Sequence, residues 1–105
     1  MAGKPVFKSF RATHALAGTA QRLSESSILT PEFEFYVLDS NGGSSMYLGG
    51  VAVDNTWIPR NRSTIRNFVS ENGDHIQDEQ FDLREIWIDA DTSGDIAIVQ
   101  YKVLE

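Results

Sequence analysis

Toward the C-terminal end, the stretch "DADTSGD" places Asp89, Asp91 and Asp95 two and four residues apart, with Ser93 and Gly94 between them. Carboxylates at that spacing open the kind of loop that wraps calcium in oxygen ligands. A helix-flanked calcium loop also needs a bidentate acid at its twelfth position, and counting from Asp89 that position is Gln100. The runs on either side are strand-like. Turn chemistry accounts for the same residues without a metal, because short polar side chains cap their own backbone and glycine accepts a left-handed conformation. The expectation is a turn, with no structural metal and no cofactor. A weak cation site on Asp89, Asp91 and Asp95 is the second reading.

Other reactive types are sparse. Cysteine is absent, which removes thiolate nucleophiles, thiolate zinc sites and disulfides. His14 and His75 are the only histidines and do not stand at a metal-ligand spacing, so hydrogen-bonded structural or surface roles are expected for both. No G-x-S-x-G turn presents a serine. The acids Asp78, Glu79 and Asp82 in "QDEQFD" read as a charged strand edge that faces water and discourages edge-to-edge pairing. An enzyme is not expected.

The most distinctive polar stretch is "WIPRNRSTIR", where Arg60, Arg62 and Arg66 follow Trp57 and Pro59. Arginine beside an aromatic is the composition of an interface hot spot, and also of a phosphate or sugar contact. Three readings stand together: an exposed loop whose arginines pair with acids of the same fold, a partner or subunit interface, and a nucleic-acid or glycan contact. For a glycan, Trp57 and Tyr47 would be the stacking platforms. Trp57, Arg60, Arg62 and Arg66 are the candidate partner-binding residues.

What positions them must be one domain. A chain of 105 residues buries about two thirds of its unfolded surface and folds without a staple. The expected arrangement is a single domain over 1–105 with an extended N-terminal arm at 1–10. The net charge of −6 is uneven: residues 1–22 hold Lys4, Lys8, Arg11 and Arg22 with no acid, whereas 71–105 hold ten acids against Arg84 and Lys102. An acidic balance argues against general nucleic-acid binding, and an asymmetric one suits docking on a charged protein surface. No apolar run reaches the length of a membrane span, and the start has none long enough for a signal peptide, so a soluble chain without membrane contact is expected.

Runs rich in β-branched and aromatic residues recur between Gly, Asn and Asp clusters. "VFKSFRATHAL" alternates, with Val6, Phe10 and Ala12 on one parity; "GTAQRLSES" is a candidate second strand. Further strands are expected at 33–38, 46–53, 75–83, 85–90 and 96–104. Both of the last two have a two-residue period, so the loop between them is expected to close a hairpin. One segment also carries a helical signal: in "RSTIRNFVSENG" Ser63 could cap a helix on which Ile65, Phe68 and Val69 share a face, ended by Gly73. The sequence allows one short helix there, near 63–71, without requiring it. Short strands at near-regular spacing predict an all-β fold, an antiparallel β-sandwich or jelly roll.

Three pieces, "AGTAQRLSES" (17–26), "SSMYLGGVAVDN" (44–55) and "FDLREIWIDADTSGDIAIVQY" (81–101), resemble in this order small β-sandwich virion proteins of tailed bacteriophages. The likeness is carried by Tyr47, Gly49 and Gly50 in the middle strand, by Leu83, Ile86, Trp87, Ile88, Asp89 and Ala90 in the penultimate strand, and by Ile98 and Tyr101 in the last. Between 56 and 74 the chain departs from that family, and this is the segment with Trp57 and the arginines. The resemblance implies a non-enzymatic capsid decoration (cement) protein, made in the host cytoplasm, that binds the outer head surface of the virion. Its partners would be the major capsid protein and itself, as a homotrimer. A glycan-binding receptor module of a tail fibre or spike is the alternative.

Overall fold

The computed structural model describes residues 5–69 and 81–104. The described chain runs β1 (Pro5–Thr13), β2 (Gln21–Arg22), β3 (Leu29–Thr30), β4 (Glu32–Val37), β5 (Ser45–Gly49), β6 (Pro59–Asn61), β7 (Ile65–Val69), β8 (Phe81–Asp82), one 3₁₀ turn (Leu83–Glu85), β9 (Trp87–Ala90) and β10 (Ile96–Leu104). Two four-stranded antiparallel sheets form, in the orders β1-β10-β4-β7 and β2-β9-β5-β6, with a small β3-β8 pair beside them. The domain is an all-β sandwich, as the alternating sequence predicts.

Alternation is what closes it. In β4 Phe33, Phe35 and Val37 are buried while Glu34 and Tyr36 lie on the other face, and in β10 Ala97 and Val99 point inward. From the second sheet Met46, Ile88 and Ala90 meet them, with Leu23, Leu83 and Ala12 completing the core. Phe33 stacks on Phe68 at 4.9 Å between centroids and meets Phe81 edge-on at 5.2 Å, geometries that add to the area term of burial.

Four expectations need correction. β9 and β10 do not form a hairpin: β9 lies in one sheet and β10 in the other, so "DADTSGD" is an arch across the sandwich. A two-residue period cannot separate the two cases, because inward faces that pack on each other across a core alternate as paired strands do. The short helix that the sequence allows near 63–71 does not form over the described part of that segment, where 65–69 is strand β7. Pairing with the edge of β4 satisfies its backbone, and Phe68 gains the stack on Phe33. The strand expected at 46–53 ends at Gly49, followed by a turn in which the Val53 N–H donates to the Gly50 carbonyl at 3.0 Å. The expected arm is, from Pro5 to Phe10, the first two thirds of strand β1, which pairs along its whole length with β10. Most of the strand expected at 75–83 lies outside the described residues, as do His75, Asp78 and Glu79. Among the described residues no helix is long and apolar enough to cross a membrane.

Candidate functional site

The three aspartates of "DADTSGD" each have separate work. Asp95 is buried, and its two oxygens accept the amides of Gly42 and Gly43 at 3.0 and 3.1 Å, tying the β4–β5 arch to the β9–β10 arch. A Cβ on Gly43 would stand 2.8 Å from Asp95 Oδ2, so only glycine permits that approach. Asp91 Oδ1 accepts the Tyr47 hydroxyl at 2.8 Å. Burial first, then this hydrogen bond and the negative charges of Asp91 and Asp89, push the Tyr47 phenol up to about 12. Asp89 is buried, and its Oδ1 accepts the Gly18 and Ala90 amides and lies 3.2 Å from His14 Nε2. The carboxylates are spent on different partners, and among the described residues no group of acids and histidines converges as a cation site.

His14 is fully buried rather than on the surface, and neither of its ring nitrogens has a hydrogen-bond partner among the described residues; its backbone makes the hydrogen bonds instead. Its carbonyl accepts the Gly94 N–H at 2.7 Å and its own N–H donates to the Asp95 carbonyl at 2.8 Å. Burial lowers its pKa below the usual 6.5, against the opposing pull of Asp89 and Asp95.

The four candidate partner-binding residues separate into two places. Arg60 stands opposite the buried Met46 on β6, and Arg66 stands opposite the buried Phe35 on β7. Both therefore issue from inward-facing register positions on the edge strands of the two sheets, at the open side of the sandwich. The Arg60 guanidinium lies over the Phe68 ring, 5.4 Å from its centroid, and its Nε is buried with no hydrogen-bond partner among the described residues. Burial lowers the Arg60 pKa, and the like charge of Arg66 lowers it further.

The turn joining these strands carries Arg62, which is exposed and donates from Nη1 to the Asn41 carbonyl at 3.2 Å. With Asp39, Ser44, Asn61 and Ser63 it lines a depression of about 450 Å³. Ser63 has φ 63°, a left-handed conformation outside glycine, which costs about 1–2 kcal/mol. It is held there by its N–H donating to the Val37 carbonyl at 2.9 Å, while Ser45 Oγ donates to Asn61 Oδ1 at 2.9 Å. Strain held by surrounding bonds is a feature of binding turns. Nothing local in "NRST" announces it, since the conformation is imposed by the arch between sheets.

Trp57 lies elsewhere. Its ring covers Gly49 on the outer face of the second sheet, where a Cβ would collide with the indole, and it remains 42% exposed. The strand partner of Gly49 is Trp87, whose ring carries the Arg22 guanidinium at 4.7 Å. Arg22 also donates to the Arg84 carbonyl at 2.8 Å and pairs with Glu85 at 3.6 Å. Tyr47, expected as a second platform, is buried and engaged with Asp91. Trp87 and Arg22 take that place; the sequence shows them only as strand residues, because the long-range pairing of β2, β9 and β5 brings them beside Trp57. Comparison with known proteins finds no matching family model, no matching curated protein and no matching solved structure.

Proposed function

We propose that the chain is a non-enzymatic binding module that docks through its arginine edge on an acidic protein surface, and that this surface is the outer face of a phage head. The observation that carries the reading is the placement of Arg60 and Arg66. Two like charges stand together at the open side of the sandwich, one half-buried, with no ion pair to either among the described residues. Such a pair raises the energy of the free protein and is relieved when a partner brings carboxylates to it. Arg62 on the strained turn extends the same edge. The resemblance of residues 17–26, 44–55 and 81–101 to phage virion proteins supports the identity of the partner, the major capsid protein.

The test is cosedimentation with mature, undecorated heads of the cognate phage. Binding should saturate at a fixed ratio to the capsid lattice and slow with added salt, since exposed charge steers encounter. Replacing Arg66 with Glu should weaken it by about 30-fold, a cost of about 2 kcal/mol typical of a hot spot. Failure to bind heads in any maturation state would refute the reading. A second reading, glycan recognition, is favoured by the Trp57, Trp87 and Arg22 row, because flat indoles beside a guanidinium suit a sugar face. It predicts retention on host polysaccharide, lost in Trp57→Ala and indifferent to Arg66→Glu.

A further inference from the structure

The outer face of the β1-β10-β4-β7 sheet is not the polar surface a solvent-facing sheet presents. The register arranges it in rows across the strands. One row runs Arg11, Ile98, Tyr36 and Ile65; the next runs Ser9, Gln100, Glu34 and Asn67. Beyond the first row lie Thr13, Ile96 and Leu38, the last two joined by the Leu38 N–H donating to the Ile96 carbonyl at 3.1 Å. Beyond the second lie Phe7 opposite Lys102, and Lys102 Nζ pairs with Glu32 Oε1 at 2.7 Å. Ile96, Leu38, Ile98, Tyr36 and Ile65 therefore form one continuous apolar patch. Ile65 is 61% exposed, and Phe7 at the far corner is exposed to the same degree.

We propose that this face is the contact between two copies of the chain, related by a two-fold axis that runs along the strands between β10 and β4. Such an axis exchanges β10 with β4 and β1 with β7 while keeping each residue's height along the strands. Ile98 then meets Tyr36 of the second copy, and Ile96 meets Leu38. Arg11 lays its aliphatic stem over Ile65 of the second copy. Gln100 meets Glu34, Ser9 meets Asn67, and Lys102 meets Glu32, so no like charges oppose each other. Phe7 comes over the β7 margin beside Asn67, at a depression of about 270 Å³ that Glu32, Glu34, Asn67 and Gln100 also line.

The alternative in-plane axis, across the strands along the apolar row, sets Arg11 against Arg11. Charge complementarity thus selects both the occupant and the axis. Four strands and four rows give a footprint of about 20 by 20 Å on each copy. Over both copies that is about 800 Å², the size of a weak, reversible contact rather than of a stable interface, with dissociation on the order of 10–100 μM. The face is separate from the arginine edge, and the inference stands independently of the capsid reading.

Sedimentation velocity across that concentration range should show the mass of the full chain doubling. Ile65→Lys, at a position already exposed, should remain single at every concentration with an unchanged thermal midpoint. Lys102→Glu and Glu32→Lys should each weaken self-association at least 10-fold alone. Mixed in equal amounts they should pair again, because the exchange of β10 with β4 brings each altered residue opposite an opposite charge. A chain that stays single throughout, a mass of three copies, an Ile65→Lys variant that still pairs, or charge variants that fail to restore each other on mixing would overturn the proposal.

Discussion

Asp95 offers the sharpest test of how the two arches are held together. Replacing it with Ala removes the acceptor of two buried amides, Gly42 and Gly43, at a site only 3% exposed. Hydrogen bonds to a charged group are worth about 1.5–3 kcal/mol each, and a stranded buried donor costs about as much. Relief of the buried charge offsets part of the sum, leaving a loss of about 3 kcal/mol. For a domain near this size that lowers the melting temperature by at least about 12 °C. Asp91→Ala loses one hydrogen bond to Tyr47 from an exposed carboxylate, and should cost about 1 kcal/mol. Urea and thermal unfolding of both variants, with chelator and with millimolar calcium, would measure the difference. The reasoning fails if the two substitutions cost the same and both abolish a calcium-dependent stabilisation of the wild type. A cation bound at about a hundred times its dissociation constant adds about 2.7 kcal/mol, which such a titration resolves.

The Tyr47 phenol, raised from 10 to about 12, is held neutral by the fold. Its contribution is fully present below pH 10 and is lost as the pH rises through 12, so ultraviolet titration should show one of the three tyrosines ionising late, and Tyr47→Phe should remove that step. His14 has the opposite sign: its lowered pKa keeps a neutral ring in the folded state, so stability is complete above about 6.5 and falls as the pH drops through the folded value. Thermal midpoints from pH 7 to 5 should decline more steeply in the wild type than in His14→Gln. Gly49→Ala should displace Trp57, shifting its fluorescence and destabilising the fold by about 1–3 kcal/mol, whereas the same change made in a Trp57→Ala background should cost little. Ser63→Val should destabilise by more than about 1 kcal/mol because a β-branched residue resists a positive φ, while Ser63→Gly should not destabilise.

Elements whose faces alternate cleanly were legible in the chain. β10 has the bounds its pattern implies, and Val6, Phe10 and Ala12 share a parity that the fold keeps. What periodicity could not carry was which strand pairs with which. The pattern of β9 and β10 fits a hairpin and an arch equally, and only packing of Ile88 and Ala90 against the other sheet decides it. Ile65, Phe68 and Val69 satisfy both a helical and an extended spacing, and an open β4 edge with an aromatic partner resolves the ambiguity. The arginine group was visible as composition, yet its division was not: Gly49 draws Trp57 to an outer face, while Arg60 and Arg66 issue from the inner faces of two sheets. Asp95 looked like a ligand or a turn residue because its real partners, the amides of Gly42 and Gly43, are distant in sequence.

The place of β10 in its sheet has a consequence for synthesis. Residues 96–104 lie between β1 and β4, so the first described strand has its described sheet neighbour in the last described one. Until that segment leaves the ribosome, β1 has no described strand to join and Phe33, Phe35 and Val37 lack one wall. Distant partners of this kind slow folding, because chain closure must precede the contacts that reward it. A nascent chain halted before residue 96 would therefore present unpaired, hydrophobic strand edges. Chaperone occupancy on the ribosome should persist until β10 emerges and fall abruptly once Leu104 is free.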